Sequence, residues 1–333
     1  DDDPPLDKPY KGCKMPKGDI RGDWTITKGC KTKVKQAFTL QDGASLTIEQ
    51  GVKAEFDTDT FIWVDYGKLV ISGTDKEPVV FTSSNKSPAP GDYVGLGFRE
   101  KTAAGTSIDH LNIEYTGSKA NGGVGAIQLE SMRTAGRISI TNSKITKSGQ
   151  FGIVADENGG FGKFENNLLA DNKSGSLNVK AETLGTIGSG NKFGSDIHVK
   201  QSQVDESGRW PVVDVAYQID GNIIIGNETK SATVTLPEKG LVKFGQSNYI
   251  EVPKANGTDL EGCTFEFFGN PANGSTGAIT FYNVKAKDLS GVTIKDNTFR
   301  KGKIAAMGSS DTLCAPFDGN NNKADGVPLC GKP

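Results

Sequence analysis

One long pattern of strands and turns occurs twice in this chain. SLTIEQGVKAEF, FIWV and GTDKEPVVF follow one another within residues 45–81, and ATVTLPEKGLVKF, YIEV and GTDLEGCTF within residues 232–265. GDYVGLGF at 91–98 has its counterpart in GSTGAITF at 274–281, and the GTD-x-E anchors begin at Gly73 and Gly257. A repeat of this length restricts the chain to an architecture in which similar units stack on one another. It carries no chemistry by itself, so fold and function are read separately.

Between and around the copies, short β-branched runs alternate with Gly, Asn and Ser turns: Val124–Leu129, Ile138–Ile140, Gly152–Ala155, Phe164–Leu169, Ser176–Val179 and Asp196–Val199. Apolar residues at every second position of such short runs indicate half-buried strands, and helical periodicity is missing. Ile127, Ile153, Leu177 and Ile197 recur every 20 to 26 residues. A repeat holding two or three short strands fits one coil of a parallel β-helix, with inward side chains stacked along a common axis. Asn142, Asn166, Asn167, Asn191 and Asn297 each fall two or three residues before an apolar position. Asn tolerates left-handed backbone and hydrogen-bonds locally, so these are turn residues, and in stacked coils such side chains can also form ladders. His110 occupies the equivalent place before Ile113, which makes a turn role at least as good a reading as a catalytic one.

At 333 residues the chain is long enough for one or two domains. A net charge of −2 with both signs mixed throughout leaves no basic block for nucleic acid, and no apolar run is long enough to cross a membrane. The acidic, proline-containing start reads as a flexible tether leading into a cap over residues 1–22. A first set of coils is expected over 23–204 and a second, related set over 205–312, divided near DESGRWP at 205–211; a C-terminal cap follows over 313–333. Of the five cysteines, Cys13 with Cys30 and Cys314 with Cys330 close short loops outside the repeat. Disulfides at both ends imply an oxidising compartment. Cys263 takes the repeat position of Val79 and reads as a buried thiol. No Cys/His clustering suggests a zinc site.

SLTIEQGVKAEF, GKLVISGTDKEPVVFTS, GDYVGLGF and IDHLNIEYTG, in that order, resemble secreted bacterial right-handed parallel β-helix proteins of the pectate-lyase-like superfold, over roughly residues 23 to 310. The resemblance implies an all-β, single-stranded right-handed parallel β-helix with disulfide-fastened ends, in a superfamily of lyases, glycoside hydrolases, esterases and adhesins. The opening residues also resemble the stretch after the lipidated cysteine of surface lipoproteins. This implies export to the bacterial cell surface, periplasm or exterior, with a lipid anchor N-terminal to the chain.

Aligning the coils on Ile62/Val64, Leu96/Phe98, Ile127/Leu129, Ile153/Ala155, Leu177/Val179 and Ile197/Val199 as inward pairs turns the residue between each pair outward. That column reads Trp63, Gly97, Gln128, Val154, Asn178, His198, and the next reads Asp65, Arg99, Glu130, Asp156, Lys180, Lys200. Glu251, the counterpart of Trp63 in the second copy, supports the outward direction. An exposed Trp63 beside Gly97 offers an open aromatic face for a sugar ring. Trp63, Asp65, Arg99, Gln128, Asn178, His198 and Lys200 are therefore the candidate ligand contacts. Glu130 and Asp156, with Arg99 and Lys180, are the only candidate catalytic set, as paired carboxylates for glycoside cleavage or as ligands of Ca²⁺. The alternative is a self-neutralising surface charge ladder. The polygalacturonase-type strand motifs are not found in order, and no phosphate loop, Ser/His/Asp order or nucleophilic cysteine motif is present. The expectation is a non-catalytic surface protein acting as adhesin, glycan-binding module or envelope scaffold. The rival is a polysaccharide lyase or glycoside hydrolase working on the same outer face.

Overall fold

The computed structural model describes residues 3–99, 101–130, 137–156, 160–227, 232–245 and 248–252, and beyond them 259–261, 264–266, 278–281, 293–295, 297–300, 306–308, 321–325 and 330–331. The protein is all-β and built of parallel strands, a parallel β-helix. It divides into two compact units, Asp1–Val179 with Thr186–Ser195, and Lys180–Gly185 with Asp196–Pro333. The DESGRWP stretch at 205–211 lies inside the second of these.

In the first unit each coil visits three parallel sheets in turn. Sheet I contains Trp24–Ile26, Ser45–Glu49, Lys68–Ser72, Ser107–Asp109, Ser139–Thr141 and Lys163–Glu165, with Tyr10–Gly12 added at its start. Sheet II runs from Lys31–Val34 through Lys53–Phe56, Val79–Ser83, Leu111–Glu114, Lys144–Thr146 and Leu168–Ala170 to Lys192–Phe193. Sheet III contains Phe38–Leu40, Phe61–Val64, Gly95–Phe98, Gly125–Leu129, Phe151–Ala155 and Gly175–Val179.

Register stacks like on like. Ile26, Ile48, Ile71, Ile108, Ile140 and Phe164 pair successively in sheet I, and Phe38, Ile62, Leu96, Ile127, Ile153 and Leu177 in sheet III. All of them are buried, as is every residue of the inward pairs. A one-residue slip would turn these columns out to solvent, so the alternation pins the register.

In the last three coils of sheet I the chain turns onto sheet II at a left-handed residue: His110, Asn142 and Asn166 have φ of 52°, 52° and 57°. This is why Phe164–Leu169, which reads as one strand, is two: Asn166 bends it onto the next face. Behind these turns runs a buried ladder. Asn167 accepts from Ser143 N at 3.0 Å and donates to Ile140 O at 2.8 Å, while Asn191 Oδ1 accepts from Asn167 N at 3.0 Å. A second ladder forms at the end of sheet II, where Asn172 Oδ1 accepts from Ser148 N at 2.9 Å and its Nδ2 donates to Ile145 O at 3.0 Å.

The opening segment is engaged from Asp3 onward, rather than being a free tether. Asp3 pairs with Lys17 at 2.7 Å, Leu6 O accepts from Arg21 N and Gly22 N, and Met15 and Ile20 are buried. A disulfide joins Cys13 to Cys30, with Cα atoms 5.4 Å apart. Cys263, Cys314 and the side chain of Cys330 lie outside the described residues.

Coils in the second unit also visit three sheets. One contains Ile197–Val199, Tyr217–Ile219, Leu241–Phe244, Thr264–Glu266, Thr298–Arg300 and Lys323–Asp325. Another runs from Ser202–Val204 through Ile223–Ile225, Ile250–Val252, Ile279–Phe281 and Ala306–Gly308 to Cys330–Gly331, and the third contains Gly208–Arg209, Val234–Thr235, Asp259–Glu261 and Thr293–Lys295. The two GTD-x-E anchors differ in structure. In the first, Glu77 N donates to Thr74 Oγ1 at 3.0 Å and closes a turn before Val79. In the second, Asp259–Glu261 is already a strand paired with Thr293–Lys295. Pro78 follows the first anchor and cannot donate to a ladder, whereas Gly262 follows the second.

Candidate functional site

The outward face of sheet III carries the cluster in which most of the sequence-predicted residues meet. Strand register places Trp63, Gly97, Gln128, Val154 and Asn178 side by side on successive coils. Asp65, Arg99, Glu130 and Asp156 follow at the strand ends. The ladder continues through the last three, with Arg99 N, Glu130 N and Asp156 N donating to Val64 O, Phe98 O and Leu129 O at 2.9, 2.8 and 2.9 Å. Successive coils lie about 4.8 Å apart, so these four side chains form a short rail whose spacing the backbone fixes.

Trp63 points outward, but its ring is only 4 % exposed, which corrects the expected open face. Gly97 lies against one side of the ring, and a Cβ there would strike the indole. The Arg99 guanidinium lies 4.4 Å from the ring centroid, and Phe61 meets the ring edge at 5.9 Å between centroids. Arg99 is in turn held by Glu130 at 3.5 Å and Asp65 at 4.0 Å. Burial, and then the charges of Asp156 and Asp65, raise the Glu130 carboxyl above its ordinary range against the opposing pull of Arg99. Gln128 is 2 % exposed and its Nε2 has no hydrogen-bond partner among the described residues; Asn178 Oδ1 likewise has none.

Alternation along Phe61–Val64 does not reveal Tyr66, which is 44 % exposed beside this cluster. The strand ends at Val64, and Asp65 N and Tyr66 N both donate to Leu40 O, at 3.2 and 3.3 Å. This shared carbonyl breaks the alternation that would have turned Tyr66 inward. Gly67 then allows the sharp turn, because a Cβ there would meet Ala44 O at 2.6 Å. Lys101 Nζ sits 4.2 Å over the Tyr66 ring and bonds its hydroxyl.

Lys180, His198 and Lys200 belong to the second unit and have contacts of their own there. Lys180 Nζ donates to Gln201 O at 2.7 Å, His198 Nδ1 lies 2.6 Å from Asp220 Oδ2, and Lys200 O accepts from Ser202 Oγ at 2.7 Å. Glu251, in the strand Ile250–Val252, is half-buried, and burial raises its carboxyl. His110 is a turn residue between Asp75 at 3.2 Å and Asp109 at 3.1 Å. Among the described residues no group of three or more His, Cys, Asp or Glu side chains converges as a metal cage, and no helix is long and apolar enough to cross a membrane.

The fold thus defines a parallel β-helix protein with a polar rail on the third sheet of its first unit. The pectate-lyase like beta helix domain family matches residues 18–136, which takes in Trp63, Asp65, Arg99 and Glu130. No curated protein and no solved structure matches the chain.

Proposed function

We propose that this is an exported surface protein that binds glycan, as an adhesin or envelope module, on the outer face of sheet III and without chemistry of its own. The rail of Asp65, Arg99, Glu130 and Asp156 carries this reading. It offers hydrogen-bonding groups at every coil, on a backbone that does not have to be ordered when a polymer lies across it. Tyr66 adds a half-exposed aromatic at the rim, of the kind that packs against sugar rings. The Cys13–Cys30 disulfide supports an oxidising compartment. Binding to a glycan array should fall about tenfold in Tyr66→Ala and in Glu130→Ala. Equal binding by wild type and both variants would remove this face from the argument.

One observation favours a second reading. A raised carboxyl at Glu130 close to the Asp156 charge is the arrangement a glycoside hydrolase uses to separate acid from nucleophile. That enzyme would release new reducing ends, a lyase unsaturated ends, from a polysaccharide panel with or without Ca²⁺. Glu130→Gln would abolish the turnover. A panel without turnover by wild type leaves the binding reading alone.

A further inference from the structure

We propose that Trp63, Asp65, Glu130 and Asp156 form a cation-binding subsite, filled in the free protein by Arg99 and, in the complex, by the protonated amine of an amino-sugar polymer. The inference rests on the glycan-binding reading and names its ligand class. Its first support is that a cation already occupies the position. The Arg99 guanidinium lies 4.4 Å from the Trp63 centroid, between Glu130 at 3.5 Å and Asp65 at 4.0 Å. An aromatic face with carboxylates at its edges is the general arrangement for holding an organic cation. The two ion pairs are long and Arg99 is 46 % exposed, so this occupant is loosely held.

Charge balance points the same way. Two carboxylates, Glu130 at 3.5 Å and Asp65 at 4.0 Å, flank the one guanidinium, and Glu130 takes up a proton more readily than an ordinary glutamate because its burial, reinforced by the charges of Asp156 and Asp65, outweighs the pull of Arg99. A positive charge is therefore needed between these carboxylates, whether Arg99 or the ligand amine supplies it. A polyanion such as a uronate chain would add negative charge instead.

Gln128 supplies the independent observation. It stands two residues before Glu130 on the same strand, and Gly97 alone separates it from Trp63 along the outward row. Its buried Nε2 has no partner among the described residues, and a buried donor left unpaired costs about 1–3 kcal/mol. A ligand seated on Trp63 and Glu130 lies next to this donor on the outward row. An amino sugar carries hydroxyl oxygens next to its ammonium group, whereas a lysine side chain brings no such acceptor. Amino-sugar chains therefore fit better than basic peptides.

The test titrates hexaglucosamine, its N-acetylated form, hexagalacturonate and hexalysine into the full chain by calorimetry, at a pH where the amine is protonated and at low and high salt. Hexaglucosamine should bind best, about tenfold tighter than the N-acetylated form, and weaken with salt. Glu130→Gln should weaken it about tenfold, while Arg99→Ala, which removes the resident cation, should tighten it several-fold. Melting curves establish that the variants fold. Preference for hexagalacturonate, equal binding of the N-acetylated form, or loss of binding in Arg99→Ala overturns the cation subsite and leaves glycan binding standing. Hexalysine binding as tightly as hexaglucosamine overturns it in favour of a peptide partner. If none of the sugars binds, the subsite and the glycan reading fail together.

Discussion

Glu130 is the residue whose surroundings most directly set a measurable property. Burial is the largest influence on its carboxyl, and Asp156 and Asp65 push in the same direction, so the net shift is upward despite Arg99. A carboxyl whose folded value exceeds its unfolded value binds a proton more tightly in the native state. Its stabilising contribution is complete below the ordinary glutamate value of 4.5 and is lost as pH rises through the raised value. Glu130→Gln removes that dependence. The urea midpoint of the variant relative to wild type should therefore rise between mildly acidic and neutral pH, and level off on acidification below the ordinary glutamate value. A constant difference across that range would show that Glu130 is not crowded as the geometry requires.

At the scale of elements, the turns matter as much as the strands. Asn167 is 1 % exposed and satisfies Ser143 N, Ile140 O and the neighbouring Asn191 side chain at once. Asn167→Ala leaves a buried donor and a buried acceptor without partners, at about 1–3 kcal/mol each. The thermal midpoint should fall by several degrees, while Asn166→Gly, in the exposed left-handed position, should change it little. Equal losses at the two sites would mean that the ladder contributes no more than turn geometry. Much of this was legible beforehand, because the strand period and the Asn spacing report local constraints that hold in every coil. The inward pairs and the row from Trp63 to Asn178 follow from that period alone. The burial of Trp63 does not, since it depends on where the long Arg99 side chain lies, and no periodicity encodes that. Tyr66 escaped for the complementary reason, its strand having ended two residues earlier. The repeated GTD-x-E motif misled where a single proline differed, because the same letters close a turn before Pro78 and enter a strand before Gly262.

At the scale of the molecule, a β-helix must cover the open edge of its first coil, where unpaired backbone invites another chain. The N-terminal segment does this on two faces of the first unit. Tyr10–Gly12 pairs with Trp24–Ile26 on sheet I, and Ile20 bridges Leu40 on sheet III, with Ile20 N to Thr39 O and Gln41 N to Ile20 O both at 3.0 Å. On the remaining face, Lys31–Val34 ends sheet II and carries exposed Lys31 and Lys33, charges that discourage further pairing. The Cys13–Cys30 disulfide ties the covering segment to the turn just before that lysine-bearing strand, spanning 17 residues. Cross-linking a loop of this size contributes about 3 kcal/mol in the chain-entropy account. Replacing both cysteines by serine should lower the unfolding midpoint accordingly and loosen the cover, freeing the edges of Trp24–Ile26 and Phe38–Leu40. The variant should then self-associate with rising concentration in light scattering, and wild type in reductant should do the same. Further replacement of Lys31 and Lys33 by threonine should increase the association, because sheet II then loses its charged guard. If the serine variant stays monomeric and melts with wild type, the cap is held by its strand pairing and by Tyr10 packed on Trp24, 4.5 Å between centroids, and the disulfide is a passenger.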